Sequence, residues 1–319
     1  MSFLEVLYFI IPSAIFYAAP LIMAAIGGVF TERSGVVNIG LEGIMIVGAA
    51  SSIMFNLAFA DQLGGLTPWV GLIIAMLTGI VLSVVLAVAA VSLRADQTVS
   101  GIALNMLGLA VAVFTVKMIY DKGQTDSISE RFSRFDIPGL QDIPVIGKMF
   151  FTDVYGTSIL AFVVAIIAWF VIYKTPFGLR LRAVGEHPMA ADTMGVSVTK
   201  MRYIAVLISG GLGGIGGAIY AQAIAGNFGQ GTISGQGFMA IAAMIFGKWH
   251  PLGALGAALF FGFAQALSVI GSSIPYIQDI PPVFLYILPY VLTILALAGF
   301  IGKANAPKAS GQPYIKGKR

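Results

Sequence analysis

The sequence predicts an all-α, polytopic transmembrane helix bundle of about nine spans, within a range of eight to ten. Three observations predict it. Hydrophobic residues make up 58% of the 319-residue chain and charged residues only 10%, against about 45–50% and 25% in soluble domains. The apolar residues fall in runs close to the roughly 20 that one membrane span requires. The 39 glycines suit the close helix packing that small residues permit in lipid. The whole of 1–319 is therefore expected to be one membrane domain.

Span length, Gly and Pro breaks and charge clusters set the boundaries. The first run, about 4–27, has no basic segment before it and no small-residue cleavage site after it, so it is expected to be a span and not a removable signal. Further spans are expected at about 37–58, 68–93, 97–119, 155–173, 203–224, 236–249, 251–271 and 282–300. The seventh is shorter than the bilayer and is expected to be broken, tilted or re-entrant.

Charge placement gives the topology. With the basic tail 303–319 inside and sides alternating backwards through nine spans, thirteen of the 18 Lys and Arg fall inside, as the positive-inside rule requires. The pI of about 9.2 thus reflects topology and not nucleic-acid binding. Segment 121–153 falls outside with six acidic residues against four basic ones, and segment 174–202 falls inside and is strongly basic. The C-terminus is expected to be cytoplasmic, in the cell membrane.

The internal segment is long for an inter-helix connection. Glu186-His187-Pro188 is expected to start a short helix, because Pro fits a first turn and an acid complements the helix dipole. Met189, Ala190, Ala191 and Met194 follow, and Gly195 stops it. Such a helix has a docking shape, although an ordinary connection would read the same way.

The Glu186, Ala190, Ala191, Gly195 pattern resembles the EAA coupling loop of ATP-binding-cassette importer permeases, with His187 and Pro188 inserted between the acid and the alanines. GGVFTERSGVVNIGLEGIMIVGA (27–49), ADQTVSGIALNML (95–107), TPFGLRLRAVGEHPMAAD (175–192) and the span opening FMAIAAMIFGKWHPLGALGAALFFG are similar to a narrower group. That group is the branched-chain amino-acid and simple-sugar permease superfamily, and within it the nucleoside permeases. The resemblance implies a second, similar permease subunit, two ATP-binding sites on cytoplasmic ATPase partners, and an external substrate-binding lipoprotein. It also implies nucleoside cargo, with simple sugars or branched-chain amino acids as alternatives.

Apart from Glu5 at the very start of the first span, Glu42 is the one acid inside an expected span, and a carboxylate there is costly enough to suggest function. Ser34 and Asn38 precede it at four-residue spacing, placing all three on one helix face. Structural pairing, lining of a pathway and proton carriage remain open for Glu42, the last implying a proton-coupled transporter. Gln97, Gly101 and Asn105 form a second polar stripe. Asn38, Glu42, Gln97 and Asn105 are the candidate pathway residues, while Gln222 and Gln265 are isolated amides suited to interhelical hydrogen bonds.

Gly211 to Gly216 match a dinucleotide fingerprint, yet they lie in an apolar span with no preceding strand. Ser209, Gly213, Gly217 and Ala221, with Gly210, Gly214 and Ala218, are instead expected to form two small-residue packing ridges. The chain has no P-loop motif, no cysteine and only two histidines. An enzyme is not expected, nor a metal or cofactor of the chain's own, and ATP would be bound by a partner subunit. Nucleic acid is not an expected partner.

The topology is testable because no native cysteine competes for label. An impermeant maleimide on intact cells is expected to label Ser129→Cys and not Thr199→Cys. The opposite pattern would reverse the assignment.

Overall fold

The computed structural model describes residues 3–271 and 306–316, with a few positions between 281 and 294. The described helices are α1 (Phe3–Arg33), α2 (Leu41–Leu63), α3 (Thr67–Ala87), α4 (Gln97–Tyr120), α5 (Ile146–Phe150), α6 (Gly156–Lys174), α7 (Pro176–Glu186), α8 (Pro188–Thr193), α9 (Val198–Ile219), α10 (Gln236–Phe246) and α11 (Pro251–Ile270). Turns of π-helix extend α3 through Val88–Ser92 and α9 through Tyr220–Ala225. The purely α expectation needs one small correction: β1 (Arg134–Phe135) and β2 (Val154–Tyr155) pair antiparallel.

Six of the described segments are long and apolar enough to cross a membrane. One of them, Leu41–Ser92, has 52 residues. At about 1.5 Å per residue it would be more than twice as long as a hydrocarbon core of about 30 Å. A tight turn at Gly64–Leu66 divides it into α2 and α3, with Gly64 at φ +50°. The expected seventh span is the 11-residue α10, about 16 Å long and too short to cross alone. The expected ninth span, 282–300, lies mostly outside the described residues.

Helix starts follow local chemistry. Asp96 caps α4 by accepting from the Val99 N–H at 2.9 Å, and Thr175 caps α7 ahead of Pro176. Ser197 stands at the N-terminus of α9 with its hydroxyl toward the Lys200 N–H. Pro176, Pro188 and Pro251 occupy first-turn positions, where the missing N–H is not needed.

Helix α9 is the central element and packs against α1, α2 and α3. Its two small-residue ridges face different neighbours. A Cβ on Gly213 would meet Ile44 and Leu41 of α2, and one on Gly217 would lie 2.0 Å from the Met45 carbonyl. On the other ridge, a Cβ on Gly210 would strike Ser83 of α3, and one on Gly214 would lie 2.1 Å from the Ala75 carbonyl. In lipid no hydrophobic force drives helices together, so this close van der Waals approach is what holds them. Outward faces are apolar, with Val81 of α3, Met106 and Phe114 of α4, and Ile167 of α6 exposed.

The helix α6 carries the chain between the two ends of the bundle. Segment 121–153 lies at one end, here termed apical, and α7 and α8 at the other, termed basal.

Because Gly214 has no room for a side chain, Gly214→Val is expected to destabilise the protein by about 1–3 kcal/mol or more. Gly256, where an added Cβ would meet no heavy atom of the described residues within 4 Å, is the control. Thermal unfolding in detergent should show a lowered midpoint for Gly214→Val and no loss for Gly256→Ala.

Candidate functional site

Two helices, α2 and α10, begin inside the bundle, and the polar residues singled out in the sequence gather around their starts. After α1 ends at Arg33 the chain runs without helix through 34–40 before α2 begins. Ser34, Asn38 and Glu42 therefore do not share a helix face: only Glu42 is helical, in the first turn of α2. The four-residue spacing was real, but Gly35 at φ +85° turns the chain out of the helix before it can be used.

This first break lies deep. Asn38 donates from Nδ2 to the Ser209 hydroxyl at 3.0 Å, and Ser209 lies eleven residues, or about 17 Å, along α9 from Val198. The unpaired backbone at the break needs partners, and α4 provides them. Gln97 Oε1 accepts from the Val37 N–H at 2.7 Å. Asn105 Oδ1 accepts from the Gly43 N–H at 2.8 Å, and its Nδ2 donates to the Ile39 carbonyl at 2.9 Å. Between them Gly101 admits the Gly40 backbone, since a Cβ there would lie 3.0 Å from Gly40 N. The Gln97, Gly101, Asn105 stripe is thus one helix face, turned toward the break.

The second break follows α9. After the π-helical turn the chain leaves helix through 226–235, and apical backbone pairs with it: the Thr125 N–H donates to the Phe228 carbonyl at 2.8 Å and the Ile128 N–H to the Gly226 carbonyl at 2.9 Å. The chain then reaches Gly235, at φ +81°, and starts α10. The Glu42 carboxylate accepts there from the Gly235 N–H and the Gly237 N–H, each at 2.6 Å. A carboxylate at this position satisfies two orphan donors and complements the α10 dipole. Gly237 is needed for contact, because a Cβ there would come within 2.5 Å of the Glu42 backbone. Buried Gln236, next to it, leaves Oε1 without a hydrogen-bond partner among the described residues.

Above the second break is an apical cavity of about 820 Å³, bordered by Tyr220, Gln124, Asn227, Gln230, Thr232 and Lys122. Below it Gln222, at the level of Pro68, accepts from Asn56 Nδ2 at 3.0 Å and donates to the Pro68 carbonyl at 3.2 Å. Gln222 is therefore an interhelical clamp, while the Oε1 of Gln265 has no partner among the described residues.

At the basal end, Glu186 ends α7 and does not start the next helix. The Thr175-Pro176 cap explains why helix forms ahead of it, a signal that the sequence contained. The short helix α8 begins at Pro188 and ends at Thr193, and Gly195, at φ +82°, turns the chain away two residues later. Ala191 is buried, but Ala190, Met194 and Gly195 are exposed, with Met194 at 83%. A Cβ on Gly195 would meet nothing within 4 Å. The chain thus presents a small, partly apolar face beyond the bundle.

Four basal residues were read in the sequence mainly as boundary charges or as part of a motif. Buried Glu32 is hydrogen-bonded to the Trp249 indole N–H. Arg33 donates from Nε to the Trp249 carbonyl at 2.7 Å and from Nη2 to the Tyr173 hydroxyl at 3.1 Å. These bonds hold Lys248 and Trp249, both left-handed at φ +55° and +53°, in the turn joining α10 to α11. His250 lies against the Tyr173 ring at 4.6 Å, and burial, then the Arg33 cation, lower its pKa. Arg202, only 1% exposed, is the fourth. Nothing in the spacing of these residues announces that distant turns meet.

A family model described as branched-chain amino acid transport system / permease component matches residues 10–297. The guanosine ABC transporter permease protein NupQ of Bacillus subtilis is 63% identical over 319 residues, covering all of both chains. The nucleoside ABC transporter permease protein NupC of Lactococcus lactis is 52% identical over 318 residues, again over the full length of both. A putative glucose ABC transporter permease, TsgC13 of Haloferax volcanii, is 33% identical over 82% of this chain and 77% of its own.

Removing the Glu42 carboxylate should expose its structural role. In Glu42→Ala the buried Gly237 N–H loses its acceptor, at about 1–3 kcal/mol, and the half-buried Gly235 N–H loses its own at a smaller cost, whereas Glu42→Gln retains one carbonyl oxygen. Thermal midpoints are expected in the order wild type, Glu42→Gln, Glu42→Ala. An alanine variant as stable as wild type would contradict the assignment.

Proposed function

The chain belongs to the branched-chain amino acid transport system permease family, and from that premise we propose that it is the membrane-spanning subunit of an ATP-binding-cassette importer for nucleosides. It is a multi-pass membrane protein and a transport component, not an enzyme. The observation that carries the mechanism is the meeting of two interior helix breaks at Glu42. Non-helical backbone at membrane depth is tolerated where it is buried in protein or lines a cavity, and discontinuous helices recur at the substrate sites of transporters. Asn38, Glu42, Gln97 and Asn105 border the pathway by fixing these breaks.

The names of the two full-length relatives support nucleoside cargo. The apical cavity supports it as well, since amides and a phenol suit a neutral, planar, hydrogen-bonding solute. A basal face on the cytoplasmic side would place α8 against an ATPase partner, with Glu186, Ala190, Ala191 and Gly195 in the contact region. The chain has no P-loop motif, so ATP binds to that partner. A second permease subunit completes the pathway, and an external lipoprotein delivers the nucleoside. ATP-driven closure of the ATPase pair moves α8, and the pathway changes the side to which it opens. The count of about nine spans, with a cytoplasmic C-terminus, belongs to the same proposal.

The test uses vesicles that contain the full set of partners and internal ATP. Nucleoside uptake is expected without a proton gradient, and Gly195→Arg is expected to abolish most uptake in complexes that still assemble. A Cβ there meets no heavy atom of the described residues within 4 Å, so the longer side chain projects toward the partner, although it must also adopt a left-handed backbone. Uptake that needs an imposed pH gradient and no ATPase would sink the proposal in favour of proton coupling through Glu42.

A further inference from the structure

Past α11, the chain returns at 306–316 as a strap bonded across the basal end. The Ala309 N–H donates to the carbonyl of Gly185, in the last turn of α7, at 2.9 Å. The Gly311 N–H donates to the Gly35 carbonyl in the first break, at 3.2 Å. Gly311 stands at φ +76°, and Ala309 is buried at 4% exposure. Farther along, Tyr314 is half-buried near Asp192 of α8, its hydroxyl without a hydrogen-bond partner among the described residues, and burial, then that carboxylate, raise the phenol's pKa.

Arg202 joins the strap to the bundle. Its guanidinium donates from Nη1 to the Gln312 carbonyl at 2.9 Å and from Nε to the Ser34 carbonyl at 3.3 Å. An Arg side chain has donors only, and this one is almost fully enclosed. Its Nη2 has no partner among the described residues, so drawing the strap away from 34–40 would remove one of two carbonyls from an already under-satisfied cation, a costly change. The two segments are therefore constrained to move together. Beyond it, segment 37–43 is fixed to α9 by Asn38 and to α4 by Gln97 and Asn105, and Glu42 lies within that segment.

We infer that Arg202 and the strap 306–316 are positioning elements that link the coupling pair α7 and α8 to the first helix break. The inference rests on the importer function proposed above. Displacement of α7, against which α8 packs, reaches the break through the Gly185–Ala309 bond, the strap backbone and the Arg202 guanidinium, with Tyr314 beside α8, in addition to any motion passed along α9. A strap that only clasped the fold would change the amount of assembled complex, not the ratio of solute moved to ATP consumed.

The experiment measures ATP hydrolysis and nucleoside uptake together in vesicles containing the full complex. Four forms are compared: wild type, a chain ending at Pro307, Arg202→Gln, and the two changes combined. The truncated form is expected to hydrolyse ATP at near the wild-type rate while moving about tenfold less nucleoside per ATP. Arg202→Gln should act in the same direction, and the combined form should be no worse than the poorer single one, because both break one linkage. An unchanged transport ratio in the truncated complex, or effects that multiply independently, would overturn the inference. Tyr314→Ala keeps every strap backbone bond and covers failed assembly of the others. It should lower uptake per ATP about threefold, and a wild-type ratio would overturn the link to α8. Absence of ATP-driven uptake in the wild-type complex is a separate outcome and would reject the importer function itself.

Discussion

A backbone amide inside hydrocarbon has no water to bond to, so any chain that interrupts a membrane helix must bring its own partners to the gap. This protein interrupts two. The gap at 34–40 is filled by amide side chains of α4, and the start of α10 is filled by one carboxylate from α2. Glu42 therefore links the two interruptions: its backbone opens α2 beside the first, and its side chain closes the donors of the second. The glycines at 40, 43, 101, 108 and 237 are the corollary, because polar groups can reach these gaps only if backbones nearly touch.

Central packing obeys the same economy of space. Helix α9 has neighbours on several sides and presents bare backbone on its ridges to α2 and α3. With dispersion the main cohesion between apolar helices, the distance of approach matters more than side-chain volume. The resulting core is rich in Ala and Gly, while the bulky residues Val81, Met106 and Phe114 point outward.

The basal end is organised differently. There the chain has charge to place at the edge of an apolar bundle, and it places it on backbone carbonyls. Arg33 and Arg202 each bind carbonyls from segments far away in sequence. Residues that a topology argument counts only as positive charges thereby become joints. Coupling helix, strap, first break and the turn between α10 and α11 all converge on the few residues around 32–35.

Composition and periodicity alone determined the membrane class, most helix boundaries and the small-residue ridges, because each depends on local apolar length or on residues a few positions apart. The Gln97, Gly101, Asn105 stripe was legible for the same reason. Ser34, Asn38 and Glu42 misled because four-residue spacing implies a shared face only where the helix continues, and Gly35 ends it. The sequence left several roles open for Glu42, and tertiary structure assigned its side chain to the N-terminus of α10, 193 and 195 residues away. The Glu32–Trp249 pair and the Arg202 joint were likewise decided only in three dimensions. A buried polar group takes its role from whichever unsatisfied donor or acceptor folding brings beside it, and pattern along one chain contains no record of that neighbour.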